Sequence, residues 1–312
     1  MGNIAGLTVS RIFFGTANPP VSTDENTAYI LLDSALASGI NAFDCARSYG
    51  VAENVLGKWL DMRKCRDKVV ILSKCGDVKE GVVKVNRQVI TEQLRQSLEA
   101  LRVDCIDIYL LHRDDPNTPV EEFIDTLNEA KDAGKINVFG VSNWTHKRIA
   151  EANNYAASRG LTGFQVSSPN YGLALQVKDL WGGGCVSISG DEAARSWYAE
   201  NQMPVIAYSS LGRGFFSGRF RAGDYDSARK CMDKFAQNGY LCEENMLRLA
   251  RAEELAEKYS VSVPEIAMRY VFSTAMNVFA VVSTSSPQKL QMNIHAADNP
   301  LSQEDIHYLE NA

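Results

Sequence analysis

One repeating unit of the predicted fold is complete within residues 105–141, CIDIYLLHRDDPNTPVEEFIDTLNEAKDAGKINVFGV. The apolar runs at 105–112 and 137–141 predict two buried strands. Between them, residues 118–121 (TPVE) are typical of a helix N-cap, a proline at the first helical position and a capping-box glutamate. Gly134 is typical of a helix end. The unit therefore predicts a strand, a helix and a second strand in succession.

The same alternation extends along the whole chain. Helical patterns also occupy residues 24–38, which end at Gly39, and residues 262–272, which open with the start signal SVPE. Most apolar runs are continuous, which is typical of parallel strands buried on both faces. The eight predicted strands lie at residues 11–16, 40–44, 69–74, 105–112, 137–141, 164–167, 204–208 and 278–283. Eight strand–helix units predict an α/β fold of the closed (β/α)8 type, the TIM barrel.

A doubly wound open sheet is the alternative fold. That fold normally places a glycine-rich phosphate-binding loop after its first strand. Here residues 17–20 (ANPP) follow the first strand, so the barrel is favoured. We expect residues 1–312 to form a single domain, because no linker or repeat divides the chain. The long connections at 170–201 and 211–245 are expected to be rim loops of the kind that bind or cover ligands.

Composition narrows the classes of function. The net charge is −6 without a run of Lys or Arg, which argues against a nucleic-acid partner and favours a small-molecule one. The seven cysteines are odd in number and contain no C-x-x-C pair, so we expect reduced thiols and a cytoplasmic location. The four histidines are scattered, so no metal site is predicted. No apolar run approaches the roughly 20 residues that cross a bilayer, so no membrane association is expected.

Polar residues stand at the ends of the predicted strands, where barrels carry their active sites. Asp44 ends the second strand with Tyr49 five residues later, Lys74 ends the third strand, and His112 ends the fourth. Seen alone, each residue has an ordinary structural explanation. Asp44 could cap a helix and Tyr49 could be a packing residue. Lys74 could be a surface cation and His112 a hydrogen-bonded core histidine. Their occurrence on three consecutive strand ends favours a catalytic cluster.

In these residues the chain resembles the aldo-keto reductase family of NAD(P)-dependent oxidoreductases. The resemblance runs in order from about Phe14 to Asn293. Its motifs are FDCARSYG (43–50) with Glu53 and Gly57, SK (73–74), DIYLLH (107–112), GVSN (140–143) and AYSSL (207–211). A chance barrel would not place all of these in register.

The resemblance implies a role for each residue of the cluster. Tyr49 would be the general acid that protonates a carbonyl oxygen, and His112 would hydrogen-bond and orient that oxygen. Lys74 would lower the pKa of Tyr49, and Asp44 would pair with Lys74. The physical chemistry agrees, because an ammonium about 4 Å from a phenolate lowers a pKa near 10 by up to about three units. A buried ammonium in turn needs a carboxylate to remain charged.

The resemblance also implies which residues hold the nicotinamide. Ser142 and Asn143 would bind its carboxamide, with Gln165 beside them. Tyr208 would stack under the ring and determine which face exchanges hydride. A Ser-Asn pair after a strand is ordinary turn chemistry when seen alone, so the joint occurrence of these residues carries the prediction.

The rest of the cofactor would lie along two further segments. The pyrophosphate segment consists of Ser209, Leu211 and Gly212. The adenosine segment consists of Ser283, Thr284, Ser285, Ser286, Lys289 and Asn293. The family places basic residues here to pair with the 2′-phosphate of NADP, and Lys289 is the candidate cation, while serines stand at two positions where a cation is common. We predict NADP, with NAD as the alternative.

The substrate implied by the resemblance is a small carbonyl or alcohol: an aldehyde, a ketone or a sugar-like molecule. The candidates for its binding wall are the aromatic residues Phe14, Trp144, Tyr171 and Trp181. Cys45 and Cys75 adjoin the cluster. They are either small packing residues or thiols whose oxidation would inactivate the protein.

The leading function is therefore hydride transfer between a nicotinamide cofactor and a carbonyl or alcohol. One alternative is a nucleotide-binding redox sensor or auxiliary subunit without significant turnover. Another is a barrel isomerase or lyase without nicotinamide. The presence of all four cluster residues favours an enzyme over a sensor, and the Ser142–Asn143 pair would have no role in an isomerase or lyase.

Overall fold

Short strands and helices alternate along the chain, of which the computed structural model describes residues 1–18, 21, 23–78, 83–180, 183–284 and 286–311. The strands are β1 Gly2–Ile4, β2 Leu7–Val9, β3 Ile12–Gly15, β4 Ala42–Asp44, β5 Val70–Cys75, β6 Ile106–Leu111, β7 Ile136–Ser142, β8 Ser167–Ser168, β9 Val205–Ala207 and β10 Val278–Val282. The helices are α1 Glu25–Ala37, α2 Ala52–Arg63, α3 Arg87–Leu101, α4 Val120–Asp132, α5 His146–Arg159, α6 Glu192–Asn201, α7 Tyr225–Cys231, α8 Lys234–Tyr240, α9 Glu243–Tyr259, α10 Val263–Phe272, α11 Pro287–Asp298 and α12 Gln303–Glu310. Short 3₁₀ turns cover Arg66–Lys68 and Gly212–Gly214. None of the helices within the described ranges is both long and apolar enough to span a membrane.

Eight parallel strands close into a barrel in the order β10, β3, β4, β5, β6, β7, β8, β9, which confirms the predicted (β/α)8 fold. Each strand overlaps one of the eight predicted runs, although β8 is reduced to Ser167–Ser168. In the parallel register, Gly15 is opposite Asp44 and Asp44 is opposite Leu72. The carboxyl ends of β3, β4 and β5 therefore lie at the same edge, which is where the predicted cluster begins.

β1 and β2 form an antiparallel hairpin that the sequence analysis did not predict. Ile4 pairs with Leu7, and the two residues between them, Ala5 and Gly6, have φ angles of 47° and 95°. Two successive left-handed residues are typical of the tightest hairpin turns, since that turn matches the twist of the strands.

Two predicted helix starts differ in detail from the structure. The N-cap of α4 is Pro119, not Thr118, because the Thr118 hydroxyl donates to the carbonyl of Val85 at 2.8 Å. The N-cap of α10 is Ser262, as predicted, but its side chain makes no capping hydrogen bond. The prediction that these two hydroxyls cap the helices is therefore wrong, although both helices are present.

The chain divides into two compact units. Unit 1 comprises Met1–Ser168 and Ser283–Leu290, and it contains β1 to β8 and α1 to α5. Unit 2 comprises Pro169–Val282 and Gln291–Ala312, and it contains β9, β10, α6 to α10 and α12. Within unit 1, Phe43 packs at ring-centroid distances of 6.1 Å from Phe14 and 5.3 Å from Trp59.

The connections predicted as long loops contain helices of unit 2. Residues 170–201 end in α6, and residues 211–245 include α7, α8 and the start of α9. The first three of these helices are capped by the side chains of Asp191, Asp224 and Asp233. The description of these segments as loops was therefore wrong in part, and their place on the rim stays a prediction.

Two glycines of the family-like motifs are explained by close packing in unit 1. A Cβ added at Gly57 in α2 would lie 2.4 Å from the carbonyl oxygen of Ala100 in α3. A Cβ added at Gly140 in β7 would lie 2.0 Å from the carbonyl oxygen of Val166. Both distances are far below van der Waals contact, so any side chain at either position would push the neighbouring element away.

Candidate active site

A buried ion pair lies at the carboxyl ends of β4 and β5. Lys74 Nζ donates to Asp44 Oδ1 at 2.5 Å and to the carbonyl of Cys45 at 2.9 Å. Asp44 and Lys74 are each only 3% exposed. An unpaired charge is costly in a buried position, so Asp44 and Lys74 each require the other as a counter-charge.

Tyr49 lies beside this ion pair on the loop that follows β4. Its hydroxyl is 3.2 Å from Lys74 Nζ, which also lies 4.7 Å from the centre of the Tyr49 ring. The loop is held against β5 by a hydrogen bond from the Arg47 amide to the carbonyl of Lys74 at 2.9 Å. A further hydrogen bond from the Tyr49 amide to the carbonyl of Ala46 closes the turn at 3.0 Å.

The His112 ring completes the cluster at the end of β6. Its centroid is 5.8 Å from that of Tyr49, and the two rings are edge to face. The His112 amide donates to the carbonyl of Cys75 at 2.6 Å, which extends the β5–β6 ladder by one residue. Asp44, Tyr49, Lys74 and His112 are thus brought together in unit 1, as the strand-end pattern predicts.

Burial dominates the ionisation of Tyr49 and His112. It raises the pKa of Tyr49 to about 12, although the charge of Lys74 acts in the opposite direction. The charge of Lys74 acts on the Tyr49 pKa in the predicted direction, but the effect of burial is larger, so the net shift is upward. Burial likewise lowers the pKa of His112 to about 3, against the opposing charge of Asp77, so the imidazole is neutral at pH 7.

The ion pair keeps its charges despite burial. Burial by itself would lower the pKa of Lys74, but the negative charge of Asp44 outweighs it and the pKa is raised. Burial raises the pKa of Asp44, and the charge of Lys74 opposes this shift. The proton therefore resides on Lys74, and the ammonium is held 3.2 Å from the Tyr49 hydroxyl.

A second buried network supports the loop that carries Tyr49. Glu53 is 1% exposed and forms an ion pair with Arg47. Its other carboxylate oxygen accepts a hydrogen bond from Ser73 at 2.7 Å. Glu53 thus connects the loop to β5 one residue before Lys74, so its place in the family-like motif is structural.

The end of β7 carries two polar side chains that hydrogen-bond to the neighbouring strand ends. Ser142 Oγ donates to the carbonyl of Ser168 at 2.8 Å. Asn143, at φ 61°, donates to Ser142 Oγ at 3.0 Å and to the carbonyl of His112 at 3.2 Å. On the neighbouring segment, Gln165 Oε1 is buried without a hydrogen-bond partner. An unsatisfied buried acceptor costs about 1–3 kcal/mol, and an amide N–H donor from a ligand would remove that cost.

The part of the adenosine segment in unit 1 follows β10. Ser283 Oγ donates to the carbonyl of Gly15 at 3.0 Å, and Thr284 Oγ1 donates to the carbonyl of Ser286 at 3.0 Å. Lys289 is exposed in the first turn of α11. Ser285 lies outside the described residues.

The other predicted cofactor residues belong to unit 2, and four of them lie in the segment that follows β9. The Tyr208 amide donates to the carbonyl of Pro169 at 3.2 Å. Ser209 and Gly212 adopt φ angles of 54° and 57°, and Leu211 is the N-cap of the 3₁₀ turn Gly212–Gly214. In α11, Asn293 is 2% exposed.

Three of the four aromatic residues predicted for the substrate wall are buried in the structure. Phe14 and Trp144 are fully buried, and Trp144 packs edge to face on Phe123 and Phe164. In unit 2, Tyr171 is 2% exposed. Trp181 lies outside the described residues.

The two thiols near the cluster are buried and protonated. Burial raises the pKa of Cys45 and of Cys75 to about 12. Neither is more than 1% exposed. Because the reactive form of cysteine is the thiolate, these values favour a packing role over a redox role.

The sequence analysis missed one charged residue at the cluster. Asp77 Oδ2 lies 3.6 Å from His112 Nδ1, and Asp77 Oδ1 accepts from Arg113 Nε at 3.2 Å. Arg113 follows His112 directly in the sequence, and an arginine beside a candidate site residue indicates that an acidic partner lies nearby. The partner could not be found by spacing, because Asp77 reaches His112 only through a left-handed turn at Gly76, with φ 72°.

Comparisons with known proteins identify the family. The model of the Aldo/keto reductase family matches residues 11–312. The chain is 28% identical to the aldo-keto reductase str7 of Strobilurus tenacellus, covering 94% of this chain and 82% of that protein. It is 28% identical to the probable aryl-alcohol dehydrogenase AAD4 of Saccharomyces cerevisiae, covering 93% and 88%. It is 25% identical to the aldo-keto reductase yakc of Schizosaccharomyces pombe, whose name carries the designation NADP(+), covering 99% and 90%. The chain therefore belongs to the aldo/keto reductase family and is an oxidoreductase.

Proposed function

We propose that this enzyme transfers hydride between a nicotinamide cofactor and the carbon of a carbonyl or alcohol, with Tyr49 giving or taking the proton. The observation that carries the proposal is the set of contacts made by Lys74. Its buried ammonium joins Asp44 at 2.5 Å to the hydroxyl of the half-buried Tyr49 at 3.2 Å. A tyrosine hydroxyl held by a buried ammonium is suited to general acid–base work.

Tyr49 is the acid in the direction of carbonyl reduction. With its pKa raised to about 12 by burial, Tyr49 is protonated at pH 7 and can donate to a carbonyl oxygen. As the proton leaves, negative charge develops on the phenol oxygen next to Lys74. At an effective dielectric near 20, charges about 4 Å apart attract by roughly 4 kcal/mol, so Lys74 stabilises the transition state more than the ground state.

His112 is a neutral hydrogen-bonding group for the same oxygen. Its imidazole is neutral because burial lowers its pKa to about 3. Its ring stands edge to face against Tyr49 at 5.8 Å, so an oxygen in contact with the Tyr49 hydroxyl is within reach of the imidazole. Two such contacts would fix the position of the substrate oxygen.

The residues of unit 1 fit a nicotinamide carboxamide. The unpartnered Gln165 Oε1 is an acceptor for its N–H₂ group, and the Ser142–Asn143 pair supplies polar groups on the adjoining strand end. When bound, the cofactor would supply or accept the hydride. In unit 2, the roles of Tyr208, Ser209, Leu211, Gly212 and Asn293 stay predictions from the family resemblance.

For the cofactor type, we propose NADP. Lys289 lies exposed in the first turn of α11, where a helix N-terminus and a cation together favour a phosphate. The relative yakc matches nearly the whole chain, and the NADP(+) designation in its name supports the same choice. The relative AAD4 is named a probable aryl-alcohol dehydrogenase, which supports an alcohol or aldehyde as the substrate.

A fluorescence titration of the purified enzyme with NADPH and with NADH tests the cofactor part of this proposal. We expect saturable binding of both, with the lower Kd for NADPH. The Gln165→Ala variant removes the acceptor for the carboxamide and should weaken both cofactors by a similar factor. Gln288→Ala, on the exposed surface of α11, is the matched control and should leave NADH binding unchanged. Absence of saturable binding by either nucleotide would overturn the proposal.

A further inference from the structure

Asp77 is a charged residue beside His112 that the proposed chemistry does not use. Its Oδ1 accepts from the Val78 amide at 2.8 Å and from Arg113 Nε at 3.2 Å. The Ser48 hydroxyl also hydrogen-bonds to this carboxylate. Oδ2 lies 3.6 Å from His112 Nδ1. Three donors therefore fix the carboxylate next to the ring that is proposed to contact the substrate oxygen.

The Asp77–Arg113 ion pair presents its acid to solvent and keeps its base buried. The side chain of Asp77 is 27% exposed, and that of Arg113 is 5% exposed. Burial acts to raise the pKa of Asp77, but the neighbouring charges and hydrogen-bond donors outweigh it, so the pKa is lowered. Asp77 is therefore a carboxylate at pH 7, and a molecule that approaches this pair meets the negative charge first.

Arg47 lies two residues before Tyr49, and its guanidinium is bound on the other face of β5. It forms an ion pair with Glu53, whose carboxylate also accepts from Ser73 at 2.7 Å. Ser73 and Lys74 are neighbours on β5, and successive side chains of a strand point to opposite faces. Because Lys74 faces the cluster, Glu53 and the Arg47 guanidinium lie on the face that carries the helices.

Arg148, in the first turn of α5, is also bound among the helices. Its Nη2 donates to the carbonyl of Thr118 at 2.7 Å, and its Nε lies 3.5 Å from Asp114 Oδ2. The guanidinium carbon lies 5.5 Å from the centre of the Trp144 ring, which packs on Phe123 of α4. The positive charge of Arg148 is thus held by groups of the helical layer.

The charges near the cluster share one arrangement. Four cations each contact an acid, and they are Arg47, Lys74, Arg113 and Arg148. Asp77 is a partly exposed acid next to His112. A substrate carboxylate or phosphate would therefore approach a negative charge, while these four cations already have partners. Like charges at such distances repel.

We propose that Asp77 is a specificity-determining residue that directs the enzyme to uncharged carbonyl substrates and disfavours those that carry a carboxylate or phosphate. This rests on the proposed function and deepens it by naming a substrate class. A hydroxyl or amide group of a neutral substrate can donate a hydrogen bond to the Asp77 carboxylate. An anionic group has no proton to donate and is repelled by the same charge.

Two aldehydes of equal length and similar shape test the preference. The first, 4-oxobutanamide, is neutral, and the second, 4-oxobutanoate, carries a carboxylate that is ionised at pH 7. With the full-length enzyme and saturating NADPH, we expect kcat/KM to be at least about tenfold higher for the amide, as for a like-charge contact partly screened by water. An equal or higher kcat/KM for the carboxylate would overturn the proposal.

Asp77→Asn keeps the shape of the side chain and removes its negative charge. The ratio of the two kcat/KM values should fall by about tenfold, through a gain with the carboxylate rather than a loss with the amide. The matched control is Asp61→Asn, which breaks an exposed ion pair with Arg102 and should leave the ratio unchanged. A folded Asp77→Asn enzyme with the wild-type ratio would contradict the assignment.

The wild type provides a second test that decides the matter even where Asp77→Asn does not fold. Salt screens the repulsion between a partly exposed carboxylate and an anionic substrate. Raising the ionic strength from about 0.02 M to about 0.5 M should therefore raise kcat/KM for 4-oxobutanoate relative to 4-oxobutanamide. A ratio that does not respond to salt would refute the charge preference.

Turnover of neither aldehyde by the wild type would count against the proposed function instead. The charge preference would then be decided by the binding of butanamide and butanoate to the wild type, followed by saturation-transfer NMR. Preferential binding of butanamide would support the role of Asp77, and preferential binding of butanoate would overturn it.

Discussion

Lys74 Nζ lies 2.5 Å from Asp44 Oδ1, and both side chains are nearly inaccessible to solvent. A buried ion pair is costly to form, and replacing one with apolar residues is often neutral or stabilising. Fold stability alone therefore gives weak reason to place these charges at the ends of β4 and β5. The third contact of Lys74, to the Tyr49 hydroxyl, provides the reason in terms of proton transfer.

Asp44→Asn should destabilise the fold by about 3–5 kcal/mol, because it leaves the Lys74 ammonium buried without a counter-charge. Urea unfolding at pH 7 gives the free energy directly. The control is Asp61→Asn, whose ion pair with Arg102 is about half exposed on both sides, and it should cost less than about 1 kcal/mol. Similar losses for the two variants would show that Lys74 is not dependent on Asp44.

Tyr49→Phe should lower turnover by roughly 10²–10⁴, which is the usual contribution of general acid catalysis. NADPH binding should persist, because the ring remains. Steady-state rates and a fluorescence titration on the same preparation separate the two effects. Tyr155→Phe removes a hydroxyl on α5 that donates to Asp125 on α4, and this variant should retain full activity. Near-normal turnover in Tyr49→Phe would exclude Tyr49 as the proton donor.

Lys289→Ala should raise the Kd for NADPH by about tenfold or more and leave that for NADH within about twofold, since only NADPH carries the 2′-phosphate. Lys147→Ala is a matched control, because Lys147 is an exposed lysine in the first turn of α5. Lys147→Ala should change the Kd of neither NADPH nor NADH. Equal weakening of both nucleotides by Lys289→Ala would place the 2′-phosphate elsewhere.

The pH dependence of carbonyl reduction follows from the ionisation of Tyr49 and His112. Tyr49 must be protonated to act, so its activity is present below its pKa of about 12 and lost above it. His112 has its pKa lowered to about 3, so it stays neutral through the neutral range. We expect kcat/KM, which reports ionisations of the free enzyme, to be flat between about pH 6 and pH 9. A step centred near pH 6.5 would show that His112 titrates as an exposed histidine does.

The barrel can be predicted from the sequence because the patterns that indicate its strands are local. Each strand is a short apolar run, and the polar residues at the run ends meet because parallel strands share an edge. The helices α6, α7 and α8 of unit 2 were missed for a different reason. Asp191, Asp224 and Asp233 are valid cap signals, but they stand in segments whose glycines favour loops.

Other features depend on tertiary contacts that no local pattern shows. Thr118 has the sequence of a helix cap, yet its hydroxyl bonds to Val85, 33 residues away. The pKa shift of Tyr49 was predicted from the charge of Lys74 alone. The effect of burial is larger and opposite in sign, so the net shift of the pKa is upward. Asp77 approaches His112 only because Gly76 adopts a left-handed conformation. Long-range packing decides each of these cases.

The most direct test of hydride transfer is the fate of deuterium from NADPH labelled at carbon 4 of the nicotinamide. Reduction of a test aldehyde with each of the two C4 epimers is followed by mass spectrometry of the product alcohol. We predict that one epimer delivers a single deuterium to the former carbonyl carbon and the other delivers none. Alcohol formed without deuterium from either epimer, or absence of reduction while NADPH is bound, would contradict hydride transfer at this site.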